Sequence, residues 1–298
     1  MTHPLVLDGK RAAAALEAEL AQAVAQLVAQ GHRAPHLAAI RVGALGPSVT
    51  YVTAKLKACA RVGYRSTLIE LPDTVTQAEL LAHVAGLNAD PAVDGFIVQL
   101  PLPGHIAEAA VLEAVLPSKD IDGFHPVNLG RLAQGLPTFA PATPAGVVAL
   151  LHHYGIETEG RHAVVVGRSS IVGTPLALLL SRNSRPGNCT VTMCHSRTPN
   201  LAHHTRQADL LLVAAGRQGL ITPDHVKPGA VVVDVGIHRV PDDSKQAGYR
   251  LLGDVDPAVF AGPISAYSPV PGGVGPMTIA LLLQNTLTAY QRAHGLPG

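Results

Sequence analysis

The chain has 298 residues, 47% of them hydrophobic, 14% charged and 3% aromatic, with a formal net charge of +1 from 22 basic and 21 acidic side chains. That length exceeds what one core usually serves, so two domains are expected, and without tryptophan their cores must be aliphatic. The near-zero charge and the lack of a basic run exclude an electrostatic footprint for nucleic acid or a membrane surface.

In chain order, residues 8–31 form an Ala/Leu-rich helical stretch, with Asp8 as N-cap and Gly31 as stop. Residues 36–42 read as a buried strand, and Pro47 then opens a helix that Gly63 closes. A strand over 66–71, a helix over 76–88 and a buried strand over 93–100 follow. Pro101 to Gly104 cannot continue either element. The polar loop SKDIDG (118–123) leads into an irregular stretch that ends at Pro141, where a domain boundary is expected. A helix over 143–154 crosses into the second domain. Strands over 163–166, 190–194, 210–214, 230–235 and 263–268 alternate there with helices, which implies a parallel sheet covered on both faces. Residues 239–248 read as a surface excursion, and a last helix over 277–294 follows the loop PVPGGVGP. Pro, Gly or charge interrupts every apolar run before bilayer length, and residues 1–11 lack the apolar stretch of a signal peptide. Cys59, Cys189 and Cys194 are odd in number and form no CxxC, which fits a reducing cytoplasm.

The main cofactor signal is VVVGRSSIVGTP (164–175), a strand that enters a glycine turn and then a helix. Such a turn lets backbone approach a pyrophosphate, and the helix N-terminus offers free N–H groups and the positive end of its dipole. Gly167, Arg168, Ser169 and Gly173 are its candidate contacts, although Ser169 replaces the usual second glycine and Gly173 comes one residue late. The next strand ends in CHSRT (194–198), with no acid to hold a ribose 2′-hydroxyl. A hydroxyl and a guanidinium stand there instead, and Arg168 lies in the turn, so the chemistry favours the 2′-phosphate of NADP.

A second constellation precedes it. Tyr51 and Lys55 are four apart on a helix and share one face, a spacing that also fits an ordinary amphipathic surface. Gln99 lies in the apolar run FIVQL, where an amide needs a partner, and Asp120 and Asp122 flank the turn at Gly123. The pairs His152–His153 and His203–His204 lack metal-ligand spacing, so no metal is expected.

The segments YVTAKLKA, VQLPLP, KDIDGFHPVNLGRL, PATPAG, VVGRSSIVGTP, CHSRT, ADLLLVAAG, VVVDVGIHR, GDVD and PVPGGVGPMT follow in that order. Together they resemble the bifunctional methylenetetrahydrofolate dehydrogenase/methenyltetrahydrofolate cyclohydrolase family over nearly the whole chain. The resemblance implies two α/β domains joined by two long helices around a cleft. A folate-binding catalytic domain would occupy 1–141, with the helix at 276–298 packing back on it, and a Rossmann-like NADP-binding domain 142–275. It implies that Tyr51 packs on the folate, that Lys55 is the catalytic amine with Gln99 beside it, and that Asp122 holds the pterin. Gly272 and Gly273 would let folate approach the backbone. Gly167, Arg168, Ser169 and Gly173 would meet the cofactor phosphates, Ser196 and Arg197 its 2′ end, and Ile237 the nicotinamide half. His238 departs from the Asn common at that place.

The implied reactions are NADP-dependent oxidation of 5,10-methylenetetrahydrofolate and hydrolysis of the methenyl product to 10-formyltetrahydrofolate, in a cytoplasmic homodimer with no nucleic-acid or membrane partner. A dehydrogenase lacking the hydrolytic step is the nearest rival. A shikimate-type dehydrogenase would explain the glycine turn but not YVTAK or PGGVGPMT, and a non-catalytic nucleotide binder would have no use for Tyr51, Lys55, Gln99 and Asp122 together.

Overall fold

The structure is a computed structural model that describes residues 3–44, 46–245 and 248–297. It divides into two compact units, one of Ala14–Ala142 with Ile279–Gly298 and one of Met1–Ala13 with Thr143–Thr278.

A short strand β1 (Leu5–Val6) precedes helix α1 (Gly9–Ala29). Asp8 caps that helix, its Oδ1 accepting from the N–H groups of Lys10 and Arg11 at 2.9 and 3.2 Å. Gly31 stops it in the left-handed region with φ +87°. By length and composition α1 could cross a membrane, contrary to the expectation that no such run exists. Its charges (Lys10, Arg11, Glu17 and Glu19) crowd into the first half and leave the second half apolar. Leu20 and Val24 of α1 are buried, and Glu17 pairs with Arg61 at 2.7 Å, so within the 14–142 unit the helix is a packed element.

In that unit β2 (His36–Val42), β3 (Arg65–Leu71) and β4 (Gly95–Val98) form a parallel sheet in the order β3-β2-β4. The connections are α2 (Gly46–Arg61) and α3 (Gln77–Ala89). Every residue of β4 is buried, and all of β2 but Arg41. Ala38, Ile40, Phe96 and Val98 pack with Leu80 and Val84 of α3, an aliphatic core of the kind the composition requires. β4 is shorter than expected, because its ladder with β2 ends at the Ile40–Val98 pair. The stretch before Pro141, expected to be irregular, contains α4 (Glu108–Ala114) and α5 (Pro126–Ala133). Two turns are too few for a 3.6-residue period to register.

After α6 (Ala142–His153) the second unit runs β5 (His162–Val166), α7 (Gly173–Ser181), β6 (Thr190–Cys194), α8 (Leu201–Thr205), β7 (Leu210–Val213) and β8 (Val231–Asp234). Then come β9 (His238–Pro241), β10 (Tyr249–Leu252), β11 (Ala266–Tyr267) and α9 (Val274–Ala293). Its sheet is parallel, in the order β1-β11-β8-β7-β5-β6. Leu5 pairs with Ala266, so the first residues join this unit rather than the 1–141 domain expected for them. Two residues carry too little pattern for that partner to be read from sequence. The excursion expected over 239–248 begins in β9 of an antiparallel ribbon with β10, and residues 246–247 of it lie outside the described residues. The glycine loop before the last helix is shorter than expected, since Gly275 and Pro276 already lie in α9.

Both sheets are locked by the same three bonds, at the N-terminal end of β2 in one and of β5 in the other. His36 donates its backbone N–H to Asp94 (2.7 Å), and its ring meets Ala92 O and Thr67 Oγ1. His162 donates its N–H to Asp209 (2.8 Å), and its ring meets Gln207 O and Thr192 Oγ1. Arg33 in one unit and Lys227 in the other neutralise the aspartate. The strand orders β3-β2-β4 and β6-β5-β7 correspond as well. The two units are thus variations on one βαβαβ plan that no sequence repeat reveals.

Candidate active site

In open parallel sheets, ligands sit at the carboxyl ends of strands where the strand order reverses, because the connections there leave in opposite directions and open a crevice. In the 14–142 unit that point lies between β2 and β4. β2 feeds α2, which carries Tyr51 and Lys55, and Gln99 directly follows β4. Lys55 is 7% exposed, and its Nζ donates to Gln99 Oε1 at 3.3 Å. Gln99 Nε2 donates to Leu100 O at 2.7 Å, and that second bond orients the amide. The half-buried amide thus has its partner, and it holds the amine without adding charge. Tyr51 lies half-buried one turn before Lys55 on the same face.

The two aspartates of SKDIDG play different parts. Asp120 is buried and its oxygens are occupied, accepting from Phe124 N (3.2 Å), His125 N (2.8 Å) and Asn128 Nδ2 (2.8 Å). It shapes the loop. Asp122 accepts no hydrogen bond among the described residues. Burial pushes its carboxyl above the ordinary carboxylate range, the Lys55 ammonium pulls it back and Asp120 adds to the rise. Asp122 thus keeps a carboxylate that no described residue uses as a hydrogen-bond acceptor. Gly123, with φ +74°, must be glycine, since a Cβ there would stand 2.7 Å from the Ala140 carbonyl carbon.

In the second unit the reversal lies between β5 and β7. Gly167 follows β5 with φ +130°, and a Cβ on it would stand 2.2 Å from Ala214 O. A Cβ on Gly173 would stand 2.2 Å from Gly167 O, so this late glycine lets α7 close on the turn. Ser169, in place of the second glycine, holds the entry to α7: its Oγ accepts from Val172 N and Gly173 N at 3.2 and 3.4 Å. Arg168, Ser169, Ser196 and Arg197 are exposed. The guanidinium groups of Arg168 and Arg197 meet no acceptor among the described residues, which leaves both free for an anionic group. Ile237 presents an apolar side chain that is 46% exposed. The turn, the helix end and the free cations together fit a dinucleotide phosphate.

Gly272 has φ +105°, and a Cβ on Gly273 would stand 2.6 Å from Pro269 O. A Cβ on Gly9 would fall 1.6 Å from Gly273 O, so LDGK and PVPGGVGP, far apart in sequence, pack backbone to backbone. These glycines are required by packing within their own unit.

Sequence reading missed a buried carboxylate pair that sets the Ile237 loop. Asp234 accepts from the N–H groups of Gly236, Asp254 and Val255 at 2.9–3.0 Å. Asp254 accepts from Ala215 N (2.6 Å) and Gly216 N (2.9 Å), and its Oδ1 meets His238 Nε2 at 2.7 Å. His238, the one departure noted in its motif, thus anchors the loop after β8 to the loop after β7. Burial pushes the Asp234 carboxyl up to about 6, against the pull of its N–H donors. The signal was the pair VVVDVG and GDVD, each of which places an Asp within two residues of a Gly. A Cβ at Gly253 would stand 1.8 Å from Asp234 Oδ2, which those donors hold in place. Gly253→Ala is therefore expected to cost roughly 2–4 kcal/mol through overpacking and a broken buried network. A thermal melt lowered by several degrees would show it, and an unchanged melting temperature would contradict it.

Two family models match the chain. Residues 7–122 match "Tetrahydrofolate dehydrogenase/cyclohydrolase, catalytic domain", and residues 141–294 match "Tetrahydrofolate dehydrogenase/cyclohydrolase, NAD(P)-binding domain". The chain is 58% identical over 284 residues to "Bifunctional protein FolD" of Cytophaga hutchinsonii, covering 95% of this chain and 98% of that one. Among solved structures it resembles the Trypanosoma brucei methylenetetrahydrofolate dehydrogenase-cyclohydrolase complexed with NADP cofactor and inhibitor. There the TM-score is 0.93 and the identity 41%, with 99% of each chain covered. The bifunctional methylenetetrahydrofolate dehydrogenase/cyclohydrolase of Campylobacter jejuni matches with TM-score 0.89 and 46% identity, over 96% of this chain and 98% of that one.

Proposed function

This chain belongs to the tetrahydrofolate dehydrogenase/cyclohydrolase family, and on that basis we propose that Lys55, Gln99 and Asp122 carry its folate chemistry while the turn at Gly167 holds its cofactor. The enzyme oxidises 5,10-methylenetetrahydrofolate to the 5,10-methenyl compound with NADP and hydrolyses that product to 10-formyltetrahydrofolate. The observation that carries the reading is the buried Lys55 bonded to Gln99 at the point of strand reversal, with the unbonded Asp122 carboxylate in its electrostatic reach.

Asp122 accepts hydrogen bonds from the pterin, and Tyr51 lies against the folate ring. NADP, when bound, supplies the hydride acceptor. Oxidation leaves a delocalised cation on the folate, so that step asks for positioning more than for a base. Hydrolysis differs. Water adds to the bridging carbon and loses a proton, and N5 gains one; the bond from that carbon to N5 then breaks as the new hydroxyl releases its own proton and becomes the formyl carbonyl, so one proton is released overall. Lys55 takes the first proton and returns the second, with Gln99 fixing the amine in place. Gly272 and Gly273 offer backbone to the folate. Gly167, Ser169 and Gly173 bring backbone to the pyrophosphate, Arg168, Ser196 and Arg197 meet the 2′-phosphate, and Ile237 covers the nicotinamide. A homodimer in the cytoplasm, without nucleic-acid or membrane partners, completes the proposal. The three free, buried thiols support a reducing setting, and light scattering tests the dimer.

The direct test mixes the protein with 5,10-methylenetetrahydrofolate and NADP and follows methenyl and formyl products. Both should appear in turn. Accumulation of methenyl that decays only at the buffer rate would leave a dehydrogenase alone. Arg168→Ala removes a charge-assisted contact worth roughly 1.5–3 kcal/mol, so kcat/KM for NADP should fall by about tenfold or more while that for NAD changes little. Arg197→Ala should act in the same direction. Equal losses with both cofactors would contradict the 2′-phosphate assignment.

A further inference from the structure

The 14–142 unit, with the end of α9, carries an open cavity of about 810 Å³ away from Lys55 and Gln99. It opens beside Val93 and Asp94, at the amino end of β4, whereas Gln99 follows the carboxyl end. Its volume falls in the range of small-molecule sites. Proline, valine and alanine with Phe139 make half of its wall, and the polar half includes three cations, Lys119, Arg131 and Arg292.

Arg131 donates its Nε to Pro137 O at 3.0 Å, which leaves its two terminal nitrogens without an acceptor among the described residues. Arg292 lies 4.8 Å over the Phe139 ring and has no carboxylate partner there either. Lys119 adds a third charge, with its Nζ on the carbonyls of Leu87 and Asp90. The one acid in the wall, Asp94, is already held by both terminal nitrogens of Arg33 at 2.7 and 2.8 Å and by His36 N. The cavity therefore concentrates positive potential over apolar walls, with two guanidinium forks that match carboxylate or phosphate oxygens.

The cavity is also wired to the loop that carries Asp122. Asn128 lines it, and Asn128 Nδ2 donates to Pro117 O (3.0 Å) and to Asp120 Oδ2 (2.8 Å). Thr138, also in the wall, donates its hydroxyl to Asn128 Oδ1 at 2.8 Å. Asp120 in turn holds the backbone of residues 124 and 125, so whatever moves Asn128 bears on the segment between them.

We propose that this cavity binds a small organic dianion with a flat apolar body, and that its occupancy acts on Asp122 through Asn128 and Asp120. The coupling, unlike the binding, rests on the reading of Asp122 as the folate ligand. Calorimetry on the full chain saturated with NADP tests the binding, with phthalate as an aromatic dicarboxylate, 4-nitrophenyl phosphate as an aromatic phosphate and benzamide as a neutral control. One molecule of at least one anion should bind per chain, and benzamide should not; whichever anion binds more tightly names the anionic group. The double variant Arg131→Gln with Arg292→Gln should weaken binding by at least about tenfold. Normal turnover of that variant without probe shows that it folds. In the parent, a saturating probe should change the KM for 5,10-methylenetetrahydrofolate at least about twofold and leave it unchanged in the variant. Absence of binding at millimolar probe, or equal binding by parent and variant, overturns the site. Binding that is lost in the variant but never alters KM overturns the coupling. If no turnover occurs even without probe, the folate reading has failed and the calorimetry stands by itself.

Discussion

Lys55→Met is expected to slow hydrolysis of the methenyl product by roughly 10³, within the range for removal of a positioned acid–base group, and to reduce hydride transfer by less than about tenfold. The asymmetry follows from the bonds made in each step. Oxidation carries a hydride off the bridging carbon and needs no proton transfer, while hydrolysis moves a proton off water and another onto N5. Methionine keeps the reach of the side chain without the amine. It also leaves Gln99 Oε1, now bonded at 3.3 Å, without its donor, at a cost of about 1–3 kcal/mol in stability. Activity must therefore be compared at a temperature where NADP binding shows the variant folded. The measurement is product identity over time, with methenyl forming from methylene substrate and then persisting. Hydrolysis at the parental rate would show that Lys55 is no more than a half-satisfied core lysine.

Asp122→Ala should lower kcat/KM for the folate in both reactions by about 100-fold or more, since a carboxylate accepting two pterin donors makes charge-assisted bonds worth roughly 1.5–3 kcal/mol each. NADP affinity should be unchanged. The carboxyl also predicts a pH dependence. Burial, with a contribution from Asp120, raises its proton affinity against the pull of Lys55, so it gains a proton at a higher pH than an ordinary aspartate. A protonated carboxyl loses acceptor capacity. The KM for folate in the parent should therefore rise as pH falls from neutrality, beginning above the usual carboxylate range, and Asp122→Asn should flatten that rise. Full activity in the alanine variant would remove Asp122 from the site. Asp120 could not replace it, because its oxygens are already occupied by the loop.

Much of this arrangement was legible in the sequence, and the reason is locality. A strand buried on both faces shows as a continuous apolar run, as in residues 163–166, and a left-handed helix stop shows as glycine, as at Gly31 and Gly63. The turn at Gly167 could be read because strand, turn and helix follow one another within a dozen residues. The roles of Tyr51, Gln99 and Asp122 came from the likeness of ordered motifs; spacing by itself put only Tyr51 and Lys55 on one face.

Tertiary structure decided what depends on partners far apart in the chain. Residues alone could not say which aspartate of SKDIDG is spent, since Asp120 is consumed by an asparagine on α5 and by N–H groups beyond the turn. They could not assign β1, whose partner lies 261 positions later at Ala266, because a two-residue strand has no period of its own. They read His238 as a minor departure, although Asp254, sixteen residues on, turns it into the clasp between two loops. The common lock at His36 and His162 is equally silent in sequence, for each histidine bonds to groups brought alongside only by strand register. Local pattern records what a residue does for its own helix, strand or turn. Which carboxylate stays free for a ligand is settled only when every other acceptor has found its donor.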